Sequence, residues 1–522
     1  MMTPSETIKN PATGETIATR QEHTKEDLLQ AVNRARTAQK AWEILPFARR
    51  GRYILAMRDY LVHHADEAAD VISACTGKPP LEALATEVIP TALAAGYYAA
   101  KTRKFLKRKR LMPGNVLFAS KISYIDQVPY GVIGIISPWN YPLAIPLHEV
   151  MMALMAGNAV VLKVATQSQT VGTLIDDMVK ASGLPEGLFS LIHLPGNSAG
   201  QTFIASGIDK LFFTGSVDVG KQLMGEAAAR LLPICLELGG NDAMIVCDDA
   251  NLNRAAGGAV WAGFSNAGQS CGGVERIFVL REVHDRFIAH LAEKTAQLVG
   301  SDGEDSAGTR CAMTTKDQWE KVQELLQDAL SRGAQIAASV PFTADSTAGF
   351  FHPAVVLTNV DTSMRLMNEE IFGPVIAVMA VADEEEAVTL ANRSSLGLTA
   401  SVWTKSRKRA HAIASRLEVG AVTINDHLMS HGLAETPWGG FKESGIGRSH
   451  GYLGLHEMTR PRVVVDDYLP GVQKNMWWHP YSKKVYEGLR DVLYFLYGPG
   501  LLHRAAGFVG MTRLFLRTFR SI

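Results

Sequence analysis

From Ala159 to Ala229 the chain alternates short β-rich runs with helix-like stretches, a rhythm that few architectures tolerate. Ala159–Lys163 reads as a strand, Thr170–Ser182 as a helix stopped by Gly183 and Pro185, and Phe189–Leu194 as a second strand. Ser198–Ala205, Lys210–Thr214 and Gly220–Ala229 continue the series as helix, strand and helix. Each step from strand to strand contains a helix, the connection that parallel neighbours require. The pattern predicts an α/β fold built on a parallel, doubly wound sheet.

A second block follows the segment Leu236–Gly240. Strand-like runs at Ala243–Val246, Val274–Val279, Val355–Leu357, Ile376–Val381, Ala400–Trp403 and Ala421–Asn425 are interleaved with helical patterns at His284–Leu298 and Thr315–Arg332. They predict a second α/β domain, and 522 residues exceed the size at which one core stops growing. Upstream, Leu28, Leu29, Val32 and Ala35, then Ile54, Met57, Leu61 and Ala65, recur at helical spacing. Lys121–Ile136 is rich in Ile, Val and Tyr and broken at Val128–Gly131, so it reads as strand, turn and strand. Val463–Val465 is a lone β-branched run, a candidate for pairing across an interface.

Acidic and basic residues balance at 52 each, so no net field favours nucleic acid or an anionic membrane. The cysteines, Cys75, Cys235, Cys247, Cys271 and Cys311, lie far apart without CxxC spacing, which suits a reducing compartment and indicates no disulfide framework. His148-Glu149 and His456-Glu457 are followed at the zincin position by Met152 and Arg460, so no metal site is indicated. The opening residues lack the basic-then-apolar order of a signal peptide. The longest apolar stretch, Gly131 to Leu162, is interrupted by Pro138, Pro142, Pro146 and Glu149, against a transmembrane span. A cytoplasmic protein is expected.

Four segments carry candidate chemistry. In Gly268-Gln269-Ser270-Cys271-Gly272-Gly273 the flanking glycines let a ligand approach the sulfur; a buried structural cysteine is the alternative. In Leu236-Glu237-Leu238-Gly239-Gly240-Asn241 a carboxyl in an apolar frame gains a raised pKa, which suits a general base; an ordinary loop glutamate is the alternative. Ile136-Ser137-Pro138-Trp139-Asn140-Tyr141-Pro142 offers the Asn140 amide to an oxyanion, or is simply a proline-rich turn. Leu211-Phe212-Phe213-Thr214-Gly215-Ser216 ends a strand in a turn that opens a helix, where a pyrophosphate meets free amides. Gly215 to Lys221 also mimics a P-loop, but position 222 is Gln where magnesium binding needs Ser or Thr.

Taken in order, these segments resemble the aldehyde dehydrogenase superfamily. So do Asn10-Pro11-Ala12-Thr13-Gly14-Glu15, Gly157–Lys163, Glu369-Glu370-Ile371-Phe372-Gly373-Pro374 and Pro437–Gly445; the likeness runs from about Lys9 to Val465. It implies a Rossmann-type cofactor domain (1–120 and 133–239) and an α/β catalytic domain (240–440). A β oligomerisation arm (121–132 and 459–470) and a C-terminal amphipathic extension (471–522) complete the chain. The resemblance further implies that Cys271 is the nucleophile, that Asn140 and the Cys271 N–H hold the oxyanion, and that Glu237 activates water. Trp139, Lys163, Gly215, Ser216, Glu370 and Phe372 are implied to bind NAD or NADP, and a homodimer or homotetramer is expected.

One departure stands out. Three residues after Lys163, many NAD-preferring members carry a glutamate; here Thr166 stands at that position and would not repel a 2′-phosphate, so use of NADP beside NAD is expected. Three readings of the aromatic, basic tail from about Gln473 are open: a helix resting on a membrane surface, a cover over the substrate tunnel, or a packing element. An aliphatic or aromatic aldehyde of medium or long chain is the favoured substrate. A semialdehyde dehydrogenase, a CoA-acylating member and a catalytically silent scaffold are the alternatives.

Overall fold

The computed structural model describes residues 5–298, 312–340, 349–469 and 472–518; Cys311 and part of the expected extension lie outside them. The described chain separates into two compact units, 1–107 with 127–460 and 108–126 with 461–522.

The first unit is built on two large sheets, each with its own hydrophobic core. The six-stranded sheet runs in the order Gly445–Ile446, Ile234–Glu237, Lys210–Thr214, Val132–Ile136, Ala159–Lys163, Phe189–Leu191. All its pairings are parallel except that of Gly445–Ile446. Val132–Ile136 and Ala159–Lys163 are buried throughout, which is why both read as unbroken apolar runs. From Val132–Ile136 the chain steps one way across the sheet, and from Lys210–Thr214 it steps the other way. A crevice therefore opens beyond the carboxyl ends of these two adjacent strands, where doubly wound sheets receive ligands. Trp139, Asn140, Gly215 and Ser216 follow those ends directly.

The seven-stranded sheet runs in the order Gln335–Val340, Ala354–Thr358, Val375–Val381, Val274–Leu280, Asp242–Val246, Thr399–Trp403, Ala421–Ile424. Only its first pair is antiparallel. The helical pattern upstream resolves into Lys25–Glu43, Phe47–His63, Ala65–Thr76 and Ile89–Leu106. Thr24 and Asp27 cap the first of these reciprocally. Before the last comes a single π turn, Leu84–Val88, a wider coil of the kind often found at functional sites.

The second unit holds the helices Lys483–Tyr497 and Gly500–Arg517 and a small core of Met476, Val485, Val492 and Leu514. Ser482 caps the first helix, and the Arg517 guanidinium donates to the carbonyls of Met476, Trp478 and Pro480. The expected membrane contact through the tail, and with it a membrane-associated location, is corrected here. Among the described residues no helix is long and apolar enough to cross a membrane. The aromatic, basic stretch instead forms two helices packed on one another, with Gly507 and Gly510 allowing the close approach.

Candidate active site

The geometry of the cleft begins with the backbone that presents Cys271. Asn266, Ala267 and Gly268 all adopt left-handed conformations, with φ of 53°, 52° and 71°. A side chain at Gly268 would collide with the Gly373 carbonyl at 2.2 Å. Two non-glycine residues in this region store strain, which surrounding contacts must hold. Asn266 Nδ2 donates to the carbonyls of Asn140 (2.9 Å) and Gln269 (3.2 Å), and Gln269 is clamped between Asn266 O and Thr314 N. The turn delivers Cys271 half-buried at the junction of the two sheets. Burial, followed by the carboxyls of Asp242, Glu370 and Glu237, pushes its thiol above the ordinary range.

Asn140 is buried, and its Nδ2 donates to the Gln269 carbonyl at 3.1 Å. Its own carbonyl accepts from the ammonium of Lys78 at 2.9 Å. Lys78 is fully buried, paired with Glu87 at 2.8 Å and lying 4.2 Å over the Tyr141 ring. Glu87 comes from the π turn, and its second oxygen accepts from Leu143 N and Ala144 N at the start of helix Ala144–Ala156. This cluster fixes the loop that carries the Asn140 amide. Glu87→Ala would strand the Lys78 charge in the interior, a loss on the order of 3–5 kcal/mol. A lowered unfolding midpoint, partly restored in Glu87→Gln, is the expected result.

Glu237 ends its strand and is buried; its Oε1 accepts from Ser449 N at 3.0 Å. Burial, then the neighbouring Glu149, raises its carboxyl well above the usual range. The two glycines after it make room for their neighbours. At Gly240 a side chain would meet the Cys271 carbonyl at 2.6 Å, and Gly240 N donates to Glu370 Oε1 at 3.0 Å. Glu275 steadies the Glu370 loop by accepting from Ile371 N, Phe372 N and Asn241 Nδ2.

One cleft of about 210 Å³ brings together Trp139, Asn140, Gly215, Ser216, Glu237, Cys271, Glu370 and Phe372. Trp139 and Phe372 stand edge to face, 5.6 Å apart. Two expected residues lie elsewhere. Thr166 lines an adjoining groove of about 790 Å³. Lys163 is buried at the end of its strand, its ammonium lowered to about 8 by desolvation. Gln318 and Lys321 line both the cleft and the groove, and the sequence did not mark them. They sit on the amphipathic helix Lys316–Ser331, where a ligand-facing lysine has the same pattern as a solvated one.

The cleft fits a dinucleotide. Ser216 opens helix Val217–Ala228 without a side-chain cap, so the first-turn amides are available to a phosphate. Lys163, a buried cation with no ion pair among the described residues, suits an uncharged or anionic oxygen partner.

A separate cavity of about 310 Å³ reaches Cys271 past Ala85, Ile89, Leu93, Trp261, Met429 and Leu433. Of the residues lining the cleft, only Cys271 also lines this cavity. Among the described residues His431 is its one imidazole, lowered to about 4 by burial and so uncharged near neutrality. Among the described residues no lysine or arginine lines it.

Comparison with known proteins gives the family. The model of the aldehyde dehydrogenase family matches residues 3–464. The chain is 37% identical over 472 residues to 4,4'-diapolycopene aldehyde oxidase of a Methylomonas species, covering 90% of this chain and 87% of that one. It is 36% identical over 464 residues, 88% of each chain, to a Mycolicibacterium smegmatis protein provisionally named as an NADP(+) succinate-semialdehyde dehydrogenase. Betaine aldehyde dehydrogenase of Staphylococcus aureus, solved in complex with NAD+, superimposes with a TM-score of 0.85 at 31% identity, covering 91% of this chain and 94% of that one.

Proposed function

The chain belongs to the aldehyde dehydrogenase family, and on that footing we propose that Cys271 oxidises a long or bulky apolar aldehyde through a covalent thioester. The general activity, oxidation of an aldehyde to the acid with NAD(P), comes with the family. The finer reading rests on one observation: the dinucleotide cleft and the apolar cavity are lined by different residues and share Cys271.

The Cys271 thiol first gives its proton to water; the thiolate then attacks the aldehyde carbon, and the resulting oxyanion is held by the Asn140 amide and the Cys271 N–H. The dinucleotide, when bound, supplies the hydride acceptor. Loss of hydride from the thiohemiacetal leaves Cys271 as a thioester. Glu237 then takes a proton from water as the water oxygen attacks the acyl carbon, and the acid leaves. Glu370 and Lys321 fit ribose hydroxyls, Ser216 a phosphate, and the edge-to-face pair Trp139 and Phe372 one apolar wall beside a flat ring.

The apolar cavity supports the substrate class. Ile89, Leu93, Met429 and Leu433 are large apolar side chains that stay exposed where they line it, so a chain longer than the cavity can continue along them. A semialdehyde carboxylate would find no cation there among the described residues. Thr166, with no carboxylate at its position, supports use of NADP beside NAD.

Initial rates of NAD(P)H formation over aldehydes of increasing chain length test the reading. Specificity should rise with chain length by about tenfold for each two methylenes buried, with succinic semialdehyde a poor substrate and both dinucleotides accepted. A preference for succinic semialdehyde would overturn the substrate class, and failure with NADP would overturn the cofactor reading.

A further inference from the structure

The stretch from Lys78 to Ile89 faces two ways. Ala85 and Thr86 in the π turn, and Ile89 just after it, line the apolar cavity. Glu87, on the same turn, is fully buried on the other side. One of its oxygens accepts from Lys78 Nζ at 2.8 Å, and the other from Leu143 N and Ala144 N at 2.8 and 3.2 Å. Lys78 Nζ also donates to the Asn140 carbonyl at 2.9 Å. The cavity wall is thus joined through Glu87 and Lys78 to the loop that aims the Asn140 amide. Glu82, four residues from Lys78, accepts from the backbone of Asn266 in the strained turn before Cys271.

Tyr141 makes a second connection. Its ring lines the cavity, and Lys78 Nζ lies 4.2 Å from the ring centroid. Stability alone does not account for this arrangement. A buried ion pair is often replaced by neutral side chains of similar volume with no loss, because desolvating both charges offsets their attraction. A π turn is also a less favourable coil than the α-helix that continues from it, and such turns are found mostly where a site needs them. Here the wider coil lets one turn present Ala85 and Thr86 to the cavity and Glu87 to Lys78.

We propose that Lys78 is a positioning residue through which the wall of the apolar cavity governs the Asn140 amide, so that an aldehyde whose chain fills the cavity reacts faster at Cys271 as well as binding more tightly. This rests on the function proposed above. A hydrocarbon chain packed against Ala85, Thr86 and Ile89 restricts the turn from which Glu87 reaches Lys78. The same chain replaces water at the Tyr141 ring, and the lower dielectric strengthens the bonds that Lys78 makes beside it. Both effects tighten the hold on the Asn140 carbonyl, and with it the aim of the side-chain amide at the oxyanion.

Binding energy from the unreactive end of a substrate raises the rate only when it is spent on orientation at the reacting centre. The chain from the cavity wall to Asn140 is a route for that expenditure. Lys78 touches neither the substrate nor the sulfur: it acts through Asn140, whose carbonyl also accepts from Asn266 Nδ2 at 2.9 Å. Loss of Lys78 therefore leaves the loop with one of its two anchors at that carbonyl, loosened and not detached.

The test is the double variant Lys78→Met/Glu87→Gln in the full chain. It strands no charge and keeps an acceptor for Leu143 N, so its thermal unfolding midpoint should stay close to that of wild type. The first-turnover burst of NAD(P)H reports attack and hydride loss, which precede hydrolysis, and its rate constant is compared at saturating propanal and saturating decanal. In wild type it should be greater with decanal by about tenfold or more, and the double variant should lose about tenfold or more with decanal but less than about threefold with propanal. Equal losses with both aldehydes, no loss with either, or a wild-type rate constant indifferent to chain length would overturn the coupling alone. Ile89→Ala, at the exposed rim of the cavity, approaches from the other end and carries the test if the double variant does not fold. It should lower the saturating burst with decanal by about threefold or more, whereas a raised KM with the burst unchanged would make the wall passive and overturn the coupling. No aldehyde-dependent NAD(P)H from the wild type would overturn the function and the coupling together.

Discussion

Cys271→Ala should reduce aldehyde-dependent NAD(P)H formation by on the order of 10⁴-fold or more, equivalent to about 5.5 kcal/mol or more of transition-state stabilisation. The alanine has no atom to bond the aldehyde carbon, so neither the burst nor steady-state turnover survives. The substitution is small, and the strained turn at Asn266 and Ala267 is held by Asn266 and Gln269 and not by the sulfur. The variant should therefore fold and still bind dinucleotide, which fluorescence titration would report. Loss of activity with retained binding assigns the chemistry to the sulfur. Residual turnover above about one per cent of wild type would refute a covalent mechanism at this residue.

Glu237→Gln should separate the two halves of the reaction. Glutamine keeps the oxygen that accepts from Ser449 N, so the local hydrogen bonding survives. It cannot take a proton from water. The burst should persist while steady-state turnover falls by about 10²- to 10⁴-fold. Mass spectrometry of the intact protein should then find the acyl group on Cys271. The pH dependence has a definite sign. Burial raises the Glu237 carboxyl, and only its ionised form is a base. Wild-type turnover should therefore rise with pH as that group ionises, and Glu237→Gln should lack this limb. A variant whose burst disappears together with its turnover would move Glu237 from hydrolysis to the activation of sulfur.

The parts of the site that were legible in the sequence share one property: their chemistry forces small or rigid neighbours beside the reactive group. Cys271 lies between glycines, Glu237 precedes Gly239-Gly240, and Ser216 follows a glycine at a strand end. The doubly wound sheet was legible for a similar reason, since strands buried on both faces admit little but Val, Ile and Leu. What escaped notice depends on separation. Lys78 reaches the Asn140 carbonyl across 62 positions, and His148 meets His450 across 302. A buried lysine or histidine has no local signature, because its partner and not its neighbours explains it. The π turn that aims Glu87 is likewise invisible in a run of helix-forming residues. The tail misled for the opposite reason: one apolar stripe serves equally well to meet a lipid surface or to pack a second helix, and spacing along the chain does not tell these apart.

The meeting of two differently walled cavities at one sulfur has a consequence for how such a protein diversifies. The apolar cavity is drawn from the π turn and the helix after it, from Trp261 and from the stretch 428–433. The dinucleotide side is drawn from the sheet ends and the Glu370 loop. Substitutions that widen, narrow or lengthen the first surface leave the dinucleotide contacts of the second untouched, and the reverse holds as well. Descendants of this chain are thus free to acquire new aldehydes by drift on one wall while their redox partner is inherited unchanged on the other.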